Sequence, residues 1–112
     1  MTTVAQVQIV APQQLAAADA SLYQVPVNTT VKVGRAVFTN TSAAAVTITA
    51  GITTGVALAA ATTLISARSI APGEAYVSPE LAGAVIPAGS QIHAFASVAA
   101  SVTVAVSGLS IV

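Results

Sequence analysis

The segment TVKVGRAVFT, from Thr30 to Thr39, decides the fold class because its side chains alternate in character with a period of two. Successive side chains of a β-strand point to opposite faces, so Val31, Val33 and Val37 would share one apolar face. The segment is therefore predicted to be a strand that buries this face.

The same short period recurs on both sides of this strand. Ala45–Ala50 alternates in the same way, and residues 40–42 form a polar turn, so these two strands are predicted to make a hairpin. Gln91–Val98 and Val102–Ile111 are predicted to make a second hairpin. The secondary structure of Gly51–Ala61 is not assigned, because its alanine-rich part, residues 57–61, suits either a helical turn or a flat strand. Further strands are predicted at Val4–Val10, Leu22–Val25, Thr62–Ala67, Ala75–Val77 and Leu81–Ile86.

These strands predict an all-β chain. About seven to nine short antiparallel strands, with turn residues about every ten positions, indicate one β-sandwich or jelly-roll domain over residues 1–112. Residues 1–14 would form either an N-terminal arm or an edge strand, because Pro12 cannot donate to a ladder. The predicted core between the sheets consists of Val31, Val33, Val37, Val46, Ile48, Leu64, Ile92, Val102, Val104 and Val106.

Charged residues are rare. They make up 5% of the chain and the net charge is zero, against about a quarter charged residues in a typical soluble domain. A sparsely charged, neutral surface promotes association, so a homo-oligomer or a subunit of a larger assembly is predicted. The uncharged stretch Ala36–Ala67 is long enough to span a membrane. Its many threonine, glycine and serine residues favour strands and turns, so no membrane span is predicted.

Export and disulfide signals are missing from the sequence. The N-terminal residues lack a basic segment followed by an apolar run, so no signal peptide is predicted and assembly in the cytoplasm is expected. The chain has no cysteine, which rules out disulfides and thiolate metal sites.

Candidate catalytic residues are few. His93 is the single histidine, and its neighbours in the sequence offer no partner that would make it a general base, so a structural or interface role is predicted. Glu74 and Glu80 could act as a carboxylate pair on a sugar. The aromatic residues that line such clefts, however, make up only 4% of the chain. The chain is therefore predicted to be no enzyme and to use no cofactor.

Metal and nucleic-acid binding are also not predicted. One histidine and three scattered acids do not form a ligand cluster, and three cations are too few for nucleic acid. Lys32 and Arg35, expected on opposite faces of their strand, are interpreted as edge protection or inter-subunit ion pairs. Glu74 is expected to pair with Arg68 or with a neighbouring subunit. The predicted interface residues are Val7, Ile9, Lys32, Arg35, Arg68 and Glu74.

Five segments together resemble small β-rich virion proteins of tailed bacteriophages. In chain order they are SLYQVP (Ser21–Pro26), VFTNTS (Val37–Ser42), SIAPGE (Ser69–Glu74), VIPAGSQI (Val85–Ile92) and VSG (Val106–Gly108). The resemblance rests on turn residues, so it carries over no site residues. It implies a protein of the virion, of the capsid decoration or cement type, which binds the outside of the head shell with the major capsid protein as its partner.

Three other functions stay open on the sequence. A neck, collar, tail or fibre-attachment component would share the fold and differ in ring stoichiometry. A carbohydrate-binding or adhesin-like module would need an exposed aromatic patch. A hydrolase would use His93 with Glu74 or Glu80, and alanine at these positions would then abolish an activity instead of changing stability alone.

Overall fold

The computed structural model of the chain describes residues 3–54, 57–58 and 62–112. The all-β prediction is confirmed, and no helix able to cross a membrane occurs among these residues. Of the segment 57–61, for which a helical turn and a flat strand were both open, residues 59–61 lie outside the described residues. The nine strands are β1 (Val4–Gln14), β2 (Ala20–Gln24), β3 (Thr30–Asn40), β4 (Val46–Thr53), β5 (Thr63–Ile70), β6 (Ala75–Val77), β7 (Val85–Ile86), β8 (Gln91–Ala96) and β9 (Val102–Ile111).

The strands form two antiparallel sheets that face each other. The five-stranded sheet has the order β1-β9-β3-β6, with β7 also paired to β3, and the four-stranded sheet has the order β2-β8-β4-β5. Most connections cross from one sheet to the other, and the first strand pairs with the last. This arrangement is the jelly roll, one of the two sandwich architectures that the sequence predicts.

Both predicted hairpins are wrong. β3 lies in the five-stranded sheet and β4 in the four-stranded sheet, so residues 40–42 carry the chain across the sandwich instead of back along one sheet. β8 and β9 lie in different sheets in the same way. A polar turn determines where a strand ends but not which strand it pairs with. Two apolar faces are buried equally well when they meet across the gap between the sheets.

β3 contains a β-bulge at Gly34, where its register against β9 shifts between Val33 and Arg35. The extra residue reverses the alternation of the strand, so Phe38 is buried and Val37 is not. The prediction that Val37 faces the core is therefore wrong.

The core between the sheets is aliphatic. Eight of the ten predicted core residues are buried, and Val37 and Leu64 are the exceptions. Leu64 is 42% exposed because β5 turns the neighbouring Ile65 inward. Each fully buried large side chain contributes about 1.5–3 kcal/mol. The fully buried large side chains that the sequence did not assign to the core are Leu15, Val25, Phe38, Ile65, Ile70, Leu81 and Ile86.

Candidate assembly interface

The bulge at Gly34 brings the two cations of β3 onto one face. Lys32 precedes the extra residue and Arg35 follows it, and both side chains are exposed on the outer face of the five-stranded sheet. The prediction that they lie on opposite faces is therefore wrong. Strict alternation separates residues three positions apart, and one inserted residue cancels that separation.

The rest of this outer face is uncharged. Lys32 lies between Leu109 of β9 and Val85 of β7, and Arg35 lies opposite Ser107. Directly paired residues point to the same face of a sheet. The three acidic residues of the chain all lie outside the strands of this sheet. The outer face is therefore basic, with two cations among apolar and small polar side chains.

A shallow groove of about 530 Å³ crosses the outer face beside the bulge. Gly108 is one of its lining residues, and an added Cβ there would lie 2.1 Å from the carbonyl oxygen of Lys32. Only glycine allows β9 and β3 to approach this closely. The groove is lined by Gln6, Val7, Gln8, Gly34, Ser107, Gly108 and Leu109.

The two predicted interface residues of β1 point toward the core. Ile9 is 5% exposed, and Val7 is half-buried and packs against the core. Before its first register shift, β1 presents the side chains of Val4, Gln6 and Gln8 to the outer face. Val7 and Ile9 therefore position the strand from within, and their contact with a partner stays a prediction.

Arg68 and Glu80 take part in a cluster that closes one side of the sandwich. The Arg68 guanidinium lies 4.4 Å from the ring centre of Tyr76, which joins β5 of one sheet to β6 of the other. The Tyr76 hydroxyl donates a 2.5 Å hydrogen bond to the Glu80 carboxylate. Among the described residues no ion pair joins Arg68 to Glu74. The Glu74 carboxylate instead lies 3.5 Å from the main-chain nitrogen of Ala71 in its own turn.

The Tyr76–Glu80 hydrogen bond shifts the titration of both groups. The pKa of Glu80 is lowered, chiefly because the Tyr76 hydroxyl donates to its carboxylate, with smaller contributions from Ser78 and Arg68. The pKa of Tyr76 is raised, first by burial and then by the hydrogen bond to Glu80. The folded state therefore favours an ionised carboxylate beside a neutral phenol.

His93 lies under a loop on the outer side of the four-stranded sheet. It is 7% exposed, its Nδ1 is 3.0 Å from Oδ1 of Asp19, and its Nε2 is 2.8 Å from Oε1 of Gln91. The second Asp19 oxygen accepts a 2.8 Å hydrogen bond from the main-chain N–H of Leu58. The ring thus connects β8 to the loop that contains Asp19, and Asp19 in turn binds the loop that contains Leu58. Both ring nitrogens have a hydrogen-bond partner, and this geometry favours a structural role.

Among the described contacts, none joins His93 to Glu74 or Glu80, the two residues with which the hydrolase hypothesis pairs it. His93 is next to Asp19, whereas Glu80 bonds to Tyr76. The sequence gives no local signal for the Asp19–His93 contact, because 74 positions separate the two residues. Among the described residues, no group of three or more side chains could hold a metal ion.

No protein-family model matches the chain, and no curated protein sequence does. Solved virus structures do share its fold. The structure of infectious bursal disease virus Gx strain matches with a TM-score of 0.61 and 16% identity, over 99% of this chain and 33% of that one. The VP2 subviral particle of the same virus matches with a TM-score of 0.60 and 14% identity, over 98% and 32%. The T13 viral particle gives a TM-score of 0.59 and 11% identity, over 98% and 30%.

The chain thus spans about a third of the length of the viral chains it resembles. At this level of identity the likeness shows a shared fold, which is that of viral jelly-roll capsid domains.

Proposed function

We propose that the chain is a structural subunit of a virus particle, specifically a decoration protein on the outside of a tailed-bacteriophage head shell. The observation that carries the proposal is the fold, because the chain matches the VP2 capsid protein over 98% of its length. The turn motifs that resemble tailed-phage virion proteins support the more specific assignment. The chain would act through an extended contact surface and not through a reaction.

The outer face of the five-stranded sheet is the proposed contact surface. Lys32 and Arg35 are exposed there on a face without acidic residues, so the expected partner is a surface of the major capsid protein that carries carboxylates. An exposed ion pair contributes only about 0.2–1 kcal/mol. One subunit would bind weakly, and the symmetry of the shell would multiply the contact.

Cryo-electron microscopy of phage particles with and without the chain tests the location. The expected result is density at regular sites outside the head shell that is lost when the chain is missing. Density at the neck, collar or tail would favour the alternative tail component and refute the decoration role. Purified virions that lack the chain by mass spectrometry would refute any virion role.

Neutralising the two cations tests the proposed surface. The Lys32→Gln, Arg35→Gln variant is expected to bind particles about tenfold more weakly, because two ion pairs of about 0.7 kcal/mol each are lost. Co-sedimentation with particles that lack the chain measures this affinity. The Ser66→Glu, Ser69→Glu variant changes the net charge equally, at exposed positions of β5 in the other sheet. Equal weakening by both variants would show that net charge, and not this face, governs binding.

A further inference from the structure

The open edge of β1 is a second binding feature, separate from the outer face. Thr3 and Val112 exchange two main-chain hydrogen bonds of 2.9 and 2.8 Å. Hydrogen-bonded pairs alternate along an antiparallel ladder, so Ala5 and Val7 also direct their N–H and C=O groups toward β9. The residues whose N–H and C=O groups point away from β9, toward the open edge, are Val4, Gln6 and Gln8.

The other sheet edges in the described part of the chain are protected. β6 has three residues, and β2 has five with a shifted register. β5 carries Arg68, and its register against β4 shifts between Arg68 and Ile65.

The left-handed conformation of Ala67 (φ 47°) interrupts β5 as a pairing edge. β1 has eleven residues, and its register against β9 shifts only after Gln8, so it pairs regularly from Val4 to Gln8. The sequence has no charged residue before Asp19. A regular sheet edge without charged side chains is a template for another strand.

We infer that this edge pairs with β1 of a second copy of the chain. A two-fold axis through Gln6 sets Gln6 opposite its counterpart and Val4 opposite Gln8 of the second copy. This register uses every residue of the regular segment whose main-chain groups point outward. Three hydrogen-bonded pairs with two bonds each make six main-chain hydrogen bonds. The edge has no charged side chain, so two copies meet no like-charge repulsion between side chains there, and a charged partner gains no ion pair.

The paired copies form one continuous sheet with both outer faces on the same side. Lys32 and Arg35 of the two copies then point in one direction, which suits bivalent binding to a surface. The pairing does not rest on the proposed function, because the dimer forms in the isolated protein.

Proline at position 6 tests the pairing. The N–H of Gln6 points away from β9, so Gln6→Pro removes a donor from the open edge and none from the ladder with β9. Both copies lose this donor, and dimer dissociation is expected to become at least about tenfold easier. Sedimentation over a hundredfold dilution measures the dimer, and circular dichroism checks the fold. Val77→Pro, at an exposed residue of the β6 edge, is the matched control and is expected to leave the dimer intact.

Hydrogen exchange on the unmodified protein gives a readout that needs no variant. The amides of Val4, Gln6 and Gln8 are expected to exchange slowly at high concentration and quickly on dilution. A monomer at every concentration, or a folded Gln6→Pro protein that dimerises like the wild type, would overturn the inference. Protection of these amides only within assembled particles would also overturn it, in favour of a strand from another virion protein. Particle binding through Lys32 and Arg35 could survive each of these results, so the two proposals fail separately.

Discussion

Replacing Asn40 with alanine tests how the chain is held where it crosses from one sheet to the other. Asn40 ends β3 and is completely buried. Its Nδ2 donates to the carbonyl oxygens of Ile70 at 2.9 Å and Ala44 at 2.8 Å. Its Oδ1 accepts from the main-chain N–H of Ser42 at 2.9 Å and from the Ser42 hydroxyl at 2.7 Å. One side chain thus joins the end of β3 to β5 and fixes the turn between β3 and β4.

The Asn40→Ala variant loses all four of these hydrogen bonds. The bond to Ile70 is buried, and removing a buried partner costs about 1–3 kcal/mol. The other three are partly buried and contribute about 0.5–1 kcal/mol each. The expected loss of unfolding free energy is about 2.5–6 kcal/mol, which lowers Tm by roughly 10–24 °C in a domain of this size.

Urea unfolding followed by circular dichroism measures this loss, with the slope m as a check that the unfolded state is unchanged. Ser42→Ala is the matched control, because it keeps the Asn40 amide and is expected to cost less than about 1.5 kcal/mol. Asn40→Asp keeps the acceptor but sets a carboxylate against two carbonyl oxygens, so it should be at least as destabilising as alanine. A loss below about 1 kcal/mol in Asn40→Ala would refute the reasoning, since main-chain bonds alone would then hold the crossing.

Gly108→Ala is expected to cost at least about 1–3 kcal/mol of unfolding free energy, because the new Cβ would lie 2.1 Å from the Lys32 carbonyl oxygen. Gly34→Ala, whose Cβ would meet its nearest atom at 3.4 Å, is the milder control, and equal urea midpoints would contradict the close approach of β9 and β3. Tyr76→Phe removes the hydrogen bond to Glu80, worth about 0.2–1 kcal/mol at this exposed site. The pKa of Glu80 is lowered and that of Tyr76 is raised. The extra unfolding free energy of the wild type should therefore be fully present between roughly pH 5 and 10. It should be lost as the pH falls through the pKa of Glu80 in the folded protein, or rises through that of Tyr76. Unfolding at about pH 3 and pH 7 checks the sign, and an advantage that grows on acidification would contradict it.

Alternation in the sequence predicted where the strands lie but not how they pair. β6 and β9 have the predicted bounds, because clear turn residues flank both segments. The partners of β3 and β8 could not be predicted, since apolar alternation specifies a buried face and leaves the facing strand undetermined. Contacts between distant residues settle the pairing, and the jelly roll places most neighbouring strands far apart along the chain.

The two features of the candidate site differ in how far the sequence could have revealed them. Gly34 inside a strand is itself a signal for a bulge. Once a bulge is placed at Gly34, the alternation reverses there, and Lys32 and Arg35 are expected on the same face. The Asp19–His93 contact has no local signal, because a loop and a distant strand bring the two side chains together.

The jelly-roll order also has a consequence for how the protein is made. Of the nine strands, β8 and β9 are synthesised after the other seven, yet β8 lies between β2 and β4, and β9 lies between β1 and β3. While a ribosome is still producing these strands, neither sheet has its centre, and β1 has both sides unpaired. Without β8 and β9, the earlier strands are not expected to form a stable part of the sandwich. Folding is therefore expected to follow the synthesis of β9 as a single late step. Removing β9 would delete an internal strand, so β1 would lose its pairing partner in the five-stranded sheet.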